Sequence, residues 1–148
     1  DMSVFPTAGH LASWAGVVPG CNESAGRVKS ASILPGNRHL KAALGVAALS
    51  AARSNDTYYS ARYRRIAGTH RPLPKPKRRS STGQIALVAL EHKMLTDAYN
   101  MLINGAFYQD PGPDYYTRHN PGQTKAKAIK QLENLGYNVI LEPLTGAA

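Results

Sequence analysis

The sequence is short of the groups from which disulfides, metal centres and membrane anchors are made. It holds one cysteine, Cys21, which excludes an intrachain disulfide and a thiolate zinc site and suits a reducing cytoplasm. The nine acids, Asp1, Glu23, Asp56, Glu91, Asp97, Asp110, Asp114, Glu133 and Glu142, stand singly along the chain. Nowhere do they form the carboxylate cluster that holds Mg²⁺ for phosphoryl transfer. The five histidines, His10, His39, His70, His92 and His119, show neither metal-ligand spacing nor a triad. No apolar run approaches the ~18 residues of a membrane span. The opening also lacks the charged and apolar regions of a secretory signal. Because the chain opens at Asp1 rather than at methionine, it is expected to be an internal or C-terminal piece of a longer soluble protein.

What is present is positive charge, unevenly spread. Lys and Arg number 18 against 9 acids. Between Arg27 and Arg79, 13 basic residues face one acid, Asp56, a net +12, while the remainder has 5 basic residues against 8 acids, a net −3. An asymmetry of this size points to a polyanion partner, most simply nucleic acid. The plainer alternative is a soluble basic surface. An anionic membrane fits less well, because the basic stretch has no Trp/Phe/Leu face of an interfacial helix. At 148 residues the chain is long enough for one domain with a modest core, or for one piece of a larger enzyme.

Thr7 is placed to cap a helix over residues 8–15, with Leu11 and Trp14 on one face, and the segment from Gly16 to Gly20 ends it. The following residues read as a loop through Ser24 to a turn and cap at Pro35-Gly36-Asn37. Over 38–53 apolar residues recur at helical spacing, at Leu40, Ala43, Leu44, Ala47, Ala48 and Ala51, and the alanines imply close packing against another helix. Asn55 or Asp56 would cap a short helix through Tyr58, Ala61, Tyr63 and Ile66, with Arg62, Arg64 and Arg65 exposed. Residues 71–81 carry three prolines and five cations, which oppose any regular element and leave an exposed basic loop. That loop reads equally as a solvated connector or as a phosphate contact. The longest helix spans 82–104, with Ile85, Val88, Leu95, Ala98 and Leu102 near one face and Gly105 as its stop. Residues 109–119 resemble a surface loop, 123–135 a helix stopped by Gly136, and 137–142 a strand. The expected class is mainly α, a helical domain with a long basic loop and one short C-terminal β-strand, divided into a domain over 1–105 and an extension over 106–148.

One loop combines reactive and cationic groups. From Gly20 to Ser30, Ser24 stands among small residues and is followed by Arg27 and Lys29. A serine hydroxyl is a weak nucleophile at neutral pH and needs a base, a metal or strong electrostatic help. Arg27 and Lys29 supply groups that bind phosphate oxygens. The same residues also make an ordinary polar turn. His39 lies early on the helix that follows, where it reads either as a residue that approaches Ser24 or as a surface or packing residue. Tyr58, Tyr59, Tyr63, Tyr115 and Tyr116 offer stacking faces for bases, or core and rim packing. A serine hydrolase fits poorly, since no His and acid are placed by sequence to activate Ser24.

Phe5, His10-Leu11-Ala12-Ser13-Trp14-Ala15-Gly16, Pro19, Glu23-Ser24 with Gly26, Gly36-Asn37 and Leu40 follow one another in a specific order. This order resembles the C-terminal transposase domain of the IS-one-ten type insertion sequences, the bridge-RNA-guided DNA recombinases. Arg118-His119-Asn120-Pro121 also resembles the tail of some members. The resemblance covers most of residues 4–105 and extends toward 143. It implies a fragment of a DNA transposase that cleaves and rejoins DNA through Ser24, with 1–105 as the serine-bearing catalytic domain. On this reading the charge pattern has Arg27 and Lys29 hold phosphate, and Arg62, Arg64, Arg65, Lys75, Lys77, Arg78 and Arg79 grip DNA or a structured guide RNA. Mg²⁺ is expected in the full-length enzyme, on the Asp and Glu residues of a RuvC-like domain that has no counterpart in this sequence. A dimer or tetramer is the implied assembly, and the fragment alone is expected to bind nucleic acid without cutting it. Two departures touch the loop: Ser24-Ala25-Gly26 stands where Ser-Gly is usual, and Leu34-Pro35 precedes the Gly36-Asn37 turn where a basic residue is frequent. The alternative function is a non-catalytic basic helical module that scaffolds nucleic acid.

Overall fold

The computed structural model describes residues 1–20, 22–24, 27–30, 32–69 and 82–142, which fall into two compact units, Asp1–Pro113 and Asp114–Ala148. The first unit opens with a 3-10 turn, Met2–Val4, and helix α1, Ala8–Ala15. Thr7 caps α1, its hydroxyl accepting from the His10 N–H. The helix ends in a Schellman motif. Gly16 takes a left-handed φ of 75°, its N–H reaches the Ser13 carbonyl at 3.1 Å, and the Val17 N–H reaches Ala12 at 3.1 Å.

A second glycine meets this helix end. A Cβ on Gly36 would lie 2.4 Å from both the Ala15 carbonyl carbon and the Gly16 nitrogen, so the returning chain crosses α1 backbone against backbone. The Asn37 N–H then satisfies the Trp14 carbonyl at 3.2 Å, one of the orphan acceptors of the α1 C-terminus. At the same residue the Asn37 side chain caps helix α2, Arg38–Arg53, accepting from His39 at 3.1 Å and Leu40 at 3.0 Å. One residue thus closes one helix and opens the next.

Between these crossing points the chain forms an antiparallel ribbon, where a loop was expected. Strand β1, Asn22–Ser24, pairs with β2, Arg27–Ser30. The ladder is polar and very short, so neither the alternation nor the length that marks a strand in sequence is present.

Helix α3, Tyr58–Thr69, is not capped by Asn55 or Asp56. The Thr57 hydroxyl accepts from the Ser60 N–H at 3.2 Å, and the Asp110 carboxylate, 52 residues away, accepts from the Tyr58 N–H at 3.0 Å. Asp56 instead adopts a left-handed φ of 55°, which places it in the turn before the helix. Helix α4, Thr82–Asn104, is the central element and packs against α1, α2 and α3. Its buried residues are Ala86, Leu90, Glu91, Leu95 and Tyr99. The inward face therefore differs from the stripe expected from sequence: Leu95 belongs to it, whereas Ile85, Ala98 and Leu102 are exposed. Leu95 and Tyr99 join Leu11, Ala12, Ala15 and Val17 in the core, and the Tyr99 hydroxyl donates to the Phe5 carbonyl at 2.7 Å. On α2 the expected small-residue contact is made by the fully buried Ala48, while Ala43 faces out.

The second unit holds helices α5, Tyr115–His119, and α6, Pro121–Asn134. The first of these lies in a stretch expected to be loop. Pro121 occupies the first turn of α6, where its missing N–H costs nothing. Gly136, at φ 89°, closes α6 with the Gly136 N–H on Glu133 and the Tyr137 N–H on Leu132. Residues 137–142 are not a strand. Their apolar alternation meets no partner strand among the described residues, and an isolated strand leaves its N–H and C=O groups unpaired. The mainly helical class holds; its small β component sits at 22–30 instead of the C-terminus.

Candidate nucleic-acid interface

The ribbon gives Ser24 a defined place. Ser24 pairs with Arg27 as the outermost pair of the ladder, Glu23 pairs with Val28, and Asn22 pairs with Ser30. The register shifts between Asn22 and Glu23, so Lys29 is the extra residue of a β-bulge. At the ribbon base the Gly20 N–H donates to the Ser32 carbonyl at 2.9 Å and Pro19 bridges to Ile33. The Gly16–Gly36 crossing then ties that base to the α1–α4 core. For Ser24, Arg27 and Lys29 the structure describes the backbone; Lys75, Lys77, Arg78 and Arg79 lie outside the described residues.

A groove of about 840 Å³ runs along the ribbon base. One wall is Val17, Val18, Pro19, Ser32 and Ile33; the other is α4, through Gln84, Ile85, Val88, Ala89 and His92, with Arg62 of α3. Arg62 is thus half-buried beside α4, not exposed as the sequence implied. Arg64 and Arg65 do face out. The Arg64 guanidinium donates to the Ser60 hydroxyl at 3.0 Å, which tethers it across one turn of its own helix. The three arginines therefore divide between a groove wall and an outer face.

A second polar cluster lies on the far half of α4. The Tyr59 hydroxyl donates to Asp97 at 2.8 Å, and Lys93 pairs with the other Asp97 oxygen. Tyr59 stacks on Tyr108 with ring centroids 5.2 Å apart, and Lys93 stands 5.6 Å above the Tyr58 ring. Burial first, then the Asp97 and Tyr108 contacts, raises the Tyr59 phenol well above its ordinary value. Burial likewise raises Tyr108. Sequence reasoning offered Tyr58 and Tyr59 as stacking residues but missed Tyr108 and Asp110. Their only local signal is an aromatic pair, Phe107-Tyr108, just after the Gly105 helix stop.

Among the described residues the donor set does not suit a divalent cation. Among the described residues no three His, Cys, Asp or Glu side chains converge. Asp97 is neutralised by Lys93, Asp110 is committed to the Tyr58 and Gly112 N–H groups, and Glu91 is buried with its Oε2 unpartnered. No helix among the described residues is long and apolar enough to cross a membrane.

Fold and charge together define a small, strongly basic helical domain that carries a polar two-stranded ribbon. Residues 1–64 match the model of the family described as Transposase IS116/IS110/IS902, and over these residues the chain is similar to that family. It is also similar to the "Insertion element IS110 uncharacterized 43.6 kDa protein" of Streptomyces coelicolor, 31% identical over 118 residues. That alignment takes in 76% of this chain but 25% of the relative, so the chain spans about a quarter of the length of the curated relative it matches. No solved structure matches.

Proposed function

We propose that this chain is the serine-bearing part of a DNA transposase that cleaves and rejoins DNA. The observation that carries the reading is the family match over 1–64, which includes Ser24 at the closing pair of the ribbon, opposite Arg27. In the proposed step the Ser24 hydroxyl bonds to a DNA phosphorus and a bridging P–O bond breaks. The proton lost by serine ends on the departing deoxyribose oxygen. Rejoining is the reverse attack by a deoxyribose hydroxyl, which frees Ser24. Arg27 and Lys29 hold non-bridging oxygens as charge builds on the phosphate. Any Mg²⁺ that assists would be held by carboxylates of a RuvC-like domain outside this sequence, since among the described residues no acids converge on a site.

The groove at the ribbon base supports a path for the DNA strand, with Arg62, His92, Gln84 and Ser32 as polar residues of its lining. Arg64, Arg65 and the loop cations Lys75, Lys77, Arg78 and Arg79 supply phosphate contacts on DNA or on a structured guide RNA. The full protein acts as a dimer or tetramer in the cytoplasm. The test is strand cleavage by the full-length protein with Ser24→Ala. Loss of cleavage with retained DNA binding is the expected result, and cleavage at the wild-type rate would overturn the assignment.

The competing reading, a non-catalytic scaffold, draws on the +12 segment alone. It expects Ser24→Ala to change nothing and removal of the loop cations to abolish binding.

A further inference from the structure

We infer that the cleft between the C-terminal half of α4 and residues 106–111 holds one unpaired base of a single-stranded nucleic acid. The inference rests on the nucleic-acid reading above but uses a surface which that reading leaves idle. The cleft has a volume of about 220 Å³. Pockets for drug-sized ligands run to roughly 300–1,000 Å³, so this one is scaled to a single ring system.

Its lining has the chemistry of a base site. Phe107 is 93% exposed, a ring that nothing among the described residues covers. An uncovered phenyl face beside a concave wall is the platform on which any base can stack, because every base offers a π-face. Beside it, the Tyr108 ring is held flat on Tyr59, with 11° between the ring planes. The amides of Asn100, Asn104 and Gln109 also line the cleft, and their side chains make no hydrogen bond among the described residues. An amide presents a donor and an acceptor side by side, the pattern found along base edges.

The electrostatics permit a nucleotide there. Asp97 lies in the wall, but Lys93 and the Tyr59 hydroxyl take up its two oxygens. Asp110 is turned to the backbone N–H groups of Tyr58 and Gly112. Neither carboxylate stands free to repel a phosphate, and the chain as a whole carries +9. Asp110 and the Tyr59–Tyr108 stack hold the loop to α3, and Asp97 ties α3 to α4, so the aromatic platform is set before any ligand arrives.

The test is fluorescence anisotropy of the 148-residue chain with labelled oligo-dT and oligo-U, each measured across a salt series. Phe107→Ala is the diagnostic variant, because its exposed ring supports no core. Stacking of one base is expected to show as a roughly 5- to 150-fold weaker affinity with an unchanged salt slope. The strand that loses more, DNA or RNA, identifies the source of the base. Unaltered affinity for both strands, with a normal salt slope, overturns the cleft while leaving the nucleic-acid reading intact. Failure of the wild-type chain to bind either strand overturns both. A change in sedimentation of the free chain on Phe107→Ala, with binding unaffected, would assign the ring to self-association and also overturn the inference.

Discussion

Replacing Gly36 by alanine should be among the most damaging single changes available in this chain. The added Cβ would sit 2.4 Å from the Ala15 carbonyl carbon and the Gly16 nitrogen, and 2.5 Å from the Ala15 oxygen. Non-bonded carbon atoms rest about 3.5–4.0 Å apart, so the chain must retreat by roughly 1 Å from atoms that are all backbone. Overpacking of this kind costs about 1–3 kcal/mol. The retreat also breaks the 3.2 Å bond from the Asn37 N–H to Trp14, a further loss of about 1 kcal/mol. The sum is about 2–4 kcal/mol. Gly68 in α3 is the internal control, because nothing lies within 4 Å of its Cβ position; there alanine should stabilise by roughly 0.5–1 kcal/mol through helix propensity. Urea unfolding followed by far-UV circular dichroism reads both. With a slope of about 2 kcal/mol/M, Gly36→Ala should lower the midpoint by roughly 1–2 M. A midpoint equal to that of wild type would refute the crossing and the anchored ribbon that depends on it.

Other consequences follow from packing and charge. Leu90→Ala, at a fully buried site, should cost about 2–5 kcal/mol in the same unfolding assay, whereas Leu102→Ala, on the exposed side of α4, should stay within about 0.5 kcal/mol of wild type; equal costs would return Leu102 to the inward stripe. Burial raises the Glu91 carboxyl above its ordinary value of 4.5, with Lys41 partly opposing the shift. The folded state therefore holds that proton more tightly than the unfolded chain, and stability falls as pH rises from the unfolded value through the folded one. Glu91→Gln should remove this slope and be the more stable form at neutral pH, and a pH profile of unfolding that matches wild type would contradict the burial argument. Neutralising Lys75, Lys77, Arg78 and Arg79 together should reduce the log–log salt slope of duplex binding by roughly 3.6 if all four touch phosphate, at about 0.9 each; an unchanged slope would make that loop a connector.

The helices were legible because their signals are local. Thr7, Asn37 and the Gly105 stop lie within a few residues of the ends they set, and the 38–53 and 82–104 boundaries follow from them. What escaped depends on distant parts of the chain. Asp110 caps α3 from 52 residues away, a bond no window around Tyr58 contains. The inward face of α4 was misjudged because three helices surround it, and that burial carries Glu91 inside while leaving Ile85 and Leu102 out. The ribbon was hidden for a different reason. Asn22-Glu23-Ser24 and Arg27 to Ser30 are polar and short, and they pair because the Gly16–Gly36 crossing brings their ends together. In the candidate site, the role proposed for Ser24 came from residue order, while the half-burial of Arg62 came only from the fold.

The central claim is that Ser24 becomes joined to DNA. The direct measurement is mass spectrometry of the full-length protein after incubation with its DNA and denaturing quench, with proteolysis to map any nucleotide adduct. A phosphate-linked nucleotide on the peptide holding Ser24, absent in Ser24→Ala, is the predicted result. An adduct on another residue, or one that survives Ser24→Ala, would contradict the account.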